Sequence, residues 1–275
     1  DTYGDIDGDG FVEYQHKSEN GLTNQGWKDS FDSVMHEDGT LAKPPIALCE
    51  VQGYVYAAKV QAAQLALIMS DKKLSHQLNQ EATSLKQKFN QSFWDKKFQT
   101  FILALDGDQL PCRVKSSNAG QCLFTGIVEE ELAHPLANTL MSEDMFSGWG
   151  IRTLGIREAR YNPMSYHNGS ICPLDLALIA YVLSQFGFQK EAQRITAGLF
   201  DAALFLDLQR LPELFCGFDR RPGEGPTAYP VACSPQAWSV ASVFLLLQSL
   251  LNLRIDALSR RITFHCPTLP DYLEH

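Results

Sequence analysis

Apolar residues recur at every third or fourth position over most of the chain, which predicts a mainly helical protein. The clearest segments are 45–70, with Pro44-Pro45 placed as a helix start, and 74–94, where polar residues separate the apolar ones. Two successive helices of this kind predict an antiparallel helical hairpin. The same spacing predicts further helices at about 119–125, 129–141, 173–186, 190–205 and 235–251.

Two short segments depart from the helical pattern. Residues 98–105 alternate and are followed by Asp106-Gly107-Asp108, which predicts a small β-hairpin inserted between helices. Alternation over 262–266 predicts one more short strand, and we expect its partner to come from elsewhere. No internal repeat is visible, which disfavours a solenoid of near-identical units and leaves a closed array of divergent hairpins open.

Three long stretches between the helices are rich in Gly, Pro, polar and aromatic residues, namely 1–40, 147–170 and 211–233. They are too long to be simple connections, and loops of this length usually serve a functional site. We therefore expect the chemistry of this protein in these loops.

Charge and composition narrow the classes of partner. The net charge is −9 and the pI about 5.2, which disfavours nucleic acid as a partner. The longest apolar run, 240–251, is interrupted and shorter than the ~20 residues of a membrane helix, so no membrane span is expected. There is no GxSxG, P-loop, GxGxxG or HExxH motif, which disfavours serine-hydrolase, nucleotide and zinc chemistry.

Seven cysteines without CxxC spacing are typical of scattered reduced thiols, which predicts a cytoplasmic protein. The chain begins with Asp1 and shows no secretory leader, so we expect it to be a fragment of a longer protein.

The loop around Trp27 has the composition of a sugar site. Residues 24–32 combine one aromatic ring, amide side chains and the carboxylates Asp29 and Asp32, which suit stacking on a sugar ring and bonding to its hydroxyls. Glycoside hydrolysis needs a second carboxylate, and Glu213 stands between apolar residues that would raise its pKa. Solvated loop carboxylates and a buried structural glutamate are the alternatives.

The loop at 147–170 supplies hydrogen-bond donors for a polyol. Trp149 and Arg152 precede the run Tyr166-His167-Asn168, and together they offer aromatic, cationic and amide groups. Each also has a structural explanation, because Trp149 can be a core residue, Arg152 a helix cap and His167 an ordinary hydrogen-bonding residue.

The acidic run at the start of the chain resembles half of a calcium loop. Asp5, Asp7 and Asp9 alternate with other residues, two of them glycines, as calcium ligands require, and Glu13 is the fourth candidate. Position twelve of such a loop is His16 rather than glutamate, so an acidic turn is the alternative.

Several motifs occurring in one order resemble a known family. They are GDGFVEY at 8–14, NQGWKDS at 24–30, PIALCEVQGY at 45–54, residues 147–154, YNPMSYHNGS at 161–170 and QAWSV at 236–240. Together they resemble bacterial amylo-alpha-1,6-glucosidase (glycogen-debranching-type) proteins, six-hairpin glycosidases related to mannosylglycerate hydrolase. The resemblance covers nearly the whole chain.

This resemblance implies an all-α, (α/α)6 toroid of helical hairpins. Since the toroid has twelve helices and the spacing predicts about seven, we expect residues 1–275 to be the C-terminal two-thirds of one catalytic domain, incomplete at the N-terminus. The resemblance also implies inverting hydrolysis of α-glycosides. No cofactor is expected to be required, and a structural calcium ion is a candidate only on the strength of the acidic run at 5–13. The resemblance makes Asp29 the general acid, with Asp32 as fallback, and Glu213 the general base. The expected substrate-binding residues are Gln25, Trp27, Lys28, Asp32, Trp149, Arg152, Tyr166, His167, Asn168 and Trp238.

The chain departs from the family after Asn168. Cys172, Leu174 and Leu176 replace an aromatic and two polar residues of the family pattern, which reduces the groups available to a sugar. The leading hypothesis is hydrolysis of an α-1,6-linked glucoside in carbohydrate metabolism. The alternatives are hydrolysis of a small α-glycoside such as mannosylglycerate or glucosylglycerate, and sugar binding without catalysis.

Overall fold

Helices Cys49–Ile68 (α1) and Lys72–Phe93 (α2) pack against each other as the predicted hairpin. They belong to a computed structural model that describes residues 4–18, 20–265 and 267–268. The chain divides into two units: unit 1 is Asp1–Thr139 with Glu158–Arg160, and unit 2 is Leu140–Arg157 with Tyr161–His275.

Unit 1 is built on α1. Besides α2, it packs against helix Asn118–Thr125 (α3), which is followed by helix Glu130–Leu140 (α4). Buried aromatic rings stack beside α2, with centroids 4.8 Å apart for Phe89 and Phe93 and 4.8 Å apart for Phe89 and Phe101. The apolar spacing predicted α2 because its buried residues fall on one face.

The start of α1 lies four residues later than the predicted helix start at Pro45. Ile46 pairs with Tyr14, and strand Ala47–Leu48 (β1) pairs antiparallel with strand Ala104–Leu105 (β4). The residues that the spacing assigned to the first helical turn are therefore extended and paired with distant segments, because tertiary contacts override local helix preference.

The predicted hairpin at 98–105 is divided between two small ladders. Strand Trp94–Asp95 (β2) pairs antiparallel with strand Thr100–Phe101 (β3), whereas β4 pairs with β1. The expected β insertion is present, and it ties the end of α2 and the start of α1 to one segment.

Unit 2 contains helices Pro173–Gln185 (α5), Gln189–Ala203 (α6) and Ala237–Leu251 (α7), with a short 3-10 turn at Asp207–Gln209. α5 packs against both α6 and α7. Gly187 separates α5 from α6 in a left-handed conformation, as expected for a helix stop. The helical-hairpin architecture predicted from the spacing is confirmed.

The C-terminal strand has a local partner, contrary to the prediction. Strand Arg261–Phe264 (β6) pairs antiparallel with strand Leu253–Asp256 (β5), which directly follows α7. Asn252 ends α7 with a positive φ and redirects the chain into β5. Cys266, at the end of the predicted strand, lies outside the described residues.

Within the described part of the chain, no helix is long and apolar enough to cross a membrane.

Candidate functional site

The loop that carries Asp29 is closed by hydrogen bonds between its two ends. The buried Asn24 amide donates to the Ser30 carbonyl at 2.7 Å and to Ser33 Oγ at 3.2 Å, and Tyr14 donates to Asn24 Oδ1 at 2.8 Å. Ser33 Oγ donates to the Lys28 carbonyl at 2.7 Å. These contacts define residues 24–33 as one closed loop in unit 1.

Neighbouring side chains of this loop point in different directions. Asp29 and Gln25 are exposed, Trp27 and Asp32 are half-buried, and Lys28 is only 4% exposed. The Lys28 ammonium lies 5.1 Å from the centre of the Trp27 ring. Lys28 is thus buried and Asp29 exposed, and the contacts of both residues with substrate stay predictions.

Glu50 lies directly beneath the loop and was not among the predicted site residues. It stands in the first turn of α1, is 1% exposed, and its Oε1 would be 3.2 Å from a Cβ added at Gly26. Burial raises the pKa of Glu50, while Asn118, the backbone at the helix start and the charge of Lys28 lower it. Its sequence signal was a lone carboxylate in an apolar helix start, which is also common at ordinary helix N-termini.

Glu213 is held at both carboxylate oxygens in unit 2. The Tyr166 hydroxyl donates to Oε1, and the Cys233 amide donates to Oε2 at 3.1 Å. The backbone amide of Glu213 also donates to the Cys233 carbonyl at 2.8 Å, and Phe215 pairs with Ile171. A half-buried glutamate is therefore fixed in one orientation by residues of two long loops.

The run Tyr166-His167-Asn168 divides into one partly exposed and two buried residues. Tyr166 is half-buried and stacks edge-on against Tyr229, with centroids 5.5 Å apart. His167 and Asn168 are 5% and 2% exposed, and the Asn168 carbonyl accepts from the Asn162 amide at 2.8 Å. Tyr166 is thus the residue of this run that reaches the Glu213 carboxylate.

Trp149 and Arg152 lie in the interior of unit 2. Arg152 is fully buried, donates from Nε to the Gly217 carbonyl at 2.8 Å and from Nη2 to Asp219. Trp149 is 2% exposed and carries the Arg220 guanidinium 4.6 Å above its ring. Both side chains are therefore held inside unit 2, and their contacts with substrate stay a prediction.

Trp238 has a different environment, since it lies in the first turn of α7 and is 49% exposed. Its contact with a sugar stays a prediction.

The acidic residues at the start of unit 1 come together. One carboxylate oxygen each of Asp5, Asp7 and Asp9 lies within 4.8 Å of the others. Gln109 donates to Asp7 Oδ2 at 2.6 Å and to Asp9 Oδ2 at 3.1 Å. Glu13 is buried and accepts from the Ile6 amide at 3.2 Å. This group of oxygens suits a hard divalent cation, and calcium binding stays a prediction.

Comparison with known families places most of the chain in one glycoside hydrolase family. Residues 7–205 match the family model described as the mannosylglycerate hydrolase MGH1-like glycoside hydrolase domain. The match includes the loop of Asp29 and the run of Tyr166, and Glu213 lies eight positions beyond it. A search of curated proteins finds no match.

Solved structures share the fold at low sequence identity. Mannosylglycerate hydrolase from Thermus thermophilus, in complex with glucose, matches at 17% identity and a TM-score of 0.59, covering 73% of this chain and 45% of that one. The same enzyme in complex with Tris and D-glycerate matches at 16% identity and a TM-score of 0.57, covering 73% of this chain and 46% of that one. Neutral trehalase from Saccharomyces cerevisiae matches at 15% identity and a TM-score of 0.59, covering 74% of this chain and 38% of that one.

A sialidase matches at 15% identity and a TM-score of 0.65. The match covers 86% of this chain and 22% of the sialidase. The chain thus spans less than half the length of each of these proteins. Mannosylglycerate hydrolase and trehalase are six-hairpin glycosidases, so the hairpins of this chain have the expected fold.

Proposed function

The chain belongs to the family of mannosylglycerate hydrolase MGH1-like glycoside hydrolase domains, and on this premise we propose that it hydrolyses an α-glycoside with inversion. The observation that carries the proposal is the orientation of Glu213, whose two oxygens are held by Tyr166 and by the Cys233 amide. A carboxylate fixed in this way suits a general base, because each oxygen keeps a lone pair for a water molecule.

In this mechanism the two carboxylates have opposite tasks. Asp29, exposed on a closed loop, protonates the leaving oxygen, and Glu213 takes a proton from the attacking water on the other face of the sugar. Gln25, Trp27, Asp32 and Trp238 are the predicted sugar contacts whose side chains are exposed or half-buried. Asp32 is the alternative acid, since it lies on the same loop as Asp29.

Proton NMR of sugar released by the full-length protein tests both the activity and its stereochemistry. We expect the β-anomer to appear first, because inversion of an α-glycoside gives a β product. Asp29→Asn should lower kcat at least 100-fold, since a general acid contributes about 10²- to 10⁴-fold. Asp32→Asn is the matched control on the same loop and should retain most turnover.

Two other results would contradict this assignment. Initial release of the α-anomer would exclude inversion, and turnover that survives Asp29→Asn but not Asp32→Asn would make Asp32 the acid.

The substrate has two candidates of comparable standing. The motif resemblance favours an α-1,6-linked glucoside, as in glycogen debranching, whereas the family model and the mannosylglycerate hydrolase structures favour a small α-glycoside. Parallel assays with an α-1,6-glucoside, mannosylglycerate and glucosylglycerate distinguish them by kcat/KM. A preference of at least 100-fold for one class would assign it.

A sugar-binding protein without catalysis is the alternative from another class, and the altered segment after Asn168 motivates it. Cys172 is 6% exposed, Leu176 is fully buried, and burial raises the pKa of the Cys172 thiol to about 12, so these residues add no charged group at neutral pH. Oligosaccharide binding measured by calorimetry, with no product from any of the three substrates, would select this alternative.

Free cysteines support the proposal of a cytoplasmic protein. All six within the described residues are unpaired, and five are buried.

A further inference from the structure

Tyr166, which holds the proposed general base, is itself held by a buried serine four positions later. The hydroxyl of Ser170 donates to the carbonyl oxygen of Tyr166, and Ser170 is completely buried. At the other end of the same tyrosine, the phenol hydroxyl donates to Glu213 Oε1. Tyr166 therefore connects a buried serine to the carboxylate on which the proposed reaction depends.

The backbone at Ser170 is bonded to the segment that carries Glu213. The Ser170 carbonyl accepts from the Thr153 amide at 2.9 Å. The next residue, Ile171, exchanges two backbone hydrogen bonds with Phe215, at 2.9 and 3.1 Å. Phe215 lies two residues after Glu213, and both Ile171 and Phe215 are fully buried. The backbone beside the Ser170 side chain is therefore fixed relative to the proposed base.

Thr153, which is also fully buried, supports the Ser170 hydroxyl. Thr153 Oγ1 accepts from the Gly169 amide at 2.9 Å and lies 3.4 Å from Ser170 Oγ. A hydroxyl group has one hydrogen to donate, and the hydrogen of Ser170 is used on the Tyr166 carbonyl. Thr153 is therefore the donor in the contact between the two hydroxyls. Together they form a chain of hydrogen bonds that ends at the Tyr166 carbonyl.

We propose that Ser170, supported by Thr153, is a positioning residue that places the Tyr166 hydroxyl on Glu213 and so fixes the orientation of the proposed base. This inference rests on the proposed function, in which Glu213 activates water. A base must be held close to one geometry, because a misplacement of about 1 Å can lower a rate about 100-fold. Among the described residues, Ser170 makes no hydrogen bond to the Glu213 carboxylate, so it acts through Tyr166.

Steady-state kinetics of the full-length protein, on the candidate substrate with the highest kcat/KM, test the proposal. Ser170→Ala removes the hydroxyl that holds the Tyr166 carbonyl. We expect kcat to fall about tenfold and KM to change less than about threefold, because the base is affected rather than sugar binding. Ser249→Ala is the matched control, since Ser249 is also fully buried and donates to the Ala180 carbonyl at 2.8 Å, between α7 and α5. It should keep kcat within about twofold.

A double-mutant cycle with Tyr166→Phe separates positioning from a merely structural role. If Ser170 acts through the tyrosine hydroxyl, Ser170→Ala should lower kcat by less than about twofold once that hydroxyl has been removed. A merely structural Ser170 would lower kcat by the same factor in both backgrounds. Equal factors in the two backgrounds, or a Ser170→Ala protein as active as Ser249→Ala, would overturn the proposal.

Thr153→Val keeps the proposal testable if Ser170→Ala fails to fold, as judged by circular dichroism. Valine is similar in size to threonine but lacks the hydroxyl that supports Ser170, so kcat should fall about threefold or more, and only while Tyr166 is present. An unchanged kcat, or a loss that persists in Tyr166→Phe, would overturn the proposal. Failure of the proposed function is seen separately, because the unsubstituted protein would then release no sugar, or Glu213→Gln would retain turnover, whatever Ser170 does.

Discussion

At the scale of single residues, the site depends on which way neighbouring side chains turn. Lys28 and Asp29 are adjacent, yet one is buried and the other exposed. Tyr166 reaches the Glu213 carboxylate, whereas the next residue, His167, is 5% exposed. Residue type and position in the sequence therefore do not distinguish side chains that are exposed to a substrate from neighbouring side chains that are buried.

Tyr166→Phe should lower kcat by about 10- to 100-fold. It removes the hydroxyl that orients Glu213 Oε1, and a hydrogen bond to a charged group contributes about 1.5–3 kcal/mol. KM should change little, because Tyr166 acts through the proposed base. Steady-state kinetics on the candidate substrate with the highest kcat/KM measure both constants.

Tyr229→Phe is the control for this prediction, since Tyr229 packs on the Tyr166 ring. It should keep kcat within about threefold. Equal losses in both variants would contradict the prediction, because they would show that removal of a tyrosine hydroxyl lowers activity without regard to the bond to Glu213.

At the scale of elements, the long loops of unit 2 are joined by close backbone approaches. A Cβ added at Gly217 would lie 1.6 Å from the Gly169 carbonyl oxygen, and the Gly217 carbonyl accepts from Arg152 and Tyr161. Glycine is required here because the backbone of one loop lies directly on the other. This contact joins the Glu213 segment to the Tyr166 segment.

Gly217→Ala should therefore lower the melting temperature by several degrees. The new methyl group forces the two loops apart, and overpacking of this kind costs about 1–3 kcal/mol or more. Differential scanning calorimetry measures the change. Glu224→Ala, on an exposed position of the same loop, should shift the melting temperature by less than about 1 °C. If Gly217→Ala lowers the melting temperature no more than the control does, the two loops can separate without loss of stability, and the prediction is wrong.

The acidic loop of unit 1 leads to a prediction about calcium and pH. Burial, together with the neighbouring carboxylates, raises the pKa of Asp9 and of Glu13. A raised carboxyl pKa favours folding while the group is protonated, and this contribution is lost as the pH rises through the folded-state pKa. A bound cation removes that cost, because it stabilises the charged carboxylates.

Calcium should thus raise the melting temperature at pH 7 and have little effect at pH 4. Saturation at 100 times Kd corresponds to about 2.7 kcal/mol. Asp7→Asn, which removes one exposed ligand, should reduce the effect, and Asp108→Asn serves as the matched exposed control. Equal calcium effects at the two pH values, or in the two variants, would contradict the predicted site.

At the scale of the whole molecule, the proposed acid and base belong to different units. Asp29 belongs to unit 1 and Glu213 to unit 2, and each is placed by contacts within its own unit. In the proposed mechanism, each unit therefore supplies one of the two carboxylates.

The sequence alone determined the helices and the long loops between them. The predicted segments 173–186 and 190–205 differ from α5 and α6 by no more than two residues at any end, because the apolar spacing of a helix is a local property. The motifs at 24–30 and 161–170 also indicated a glycoside hydrolase related to mannosylglycerate hydrolase, since such motifs depend on residue order, whereas the family match does not confirm the debranching type.

Only the tertiary structure decided the start of α1, the partner of β6 and the surroundings of each site residue. Ile46 and β1 are extended because they pair with distant segments. Burial of Lys28 and Arg152 and the placement of Glu50 beneath Gly26 arise from packing between elements far apart in sequence. Local patterns contain no record of these contacts, because burial and charge pairing depend on which surfaces meet when the chain folds.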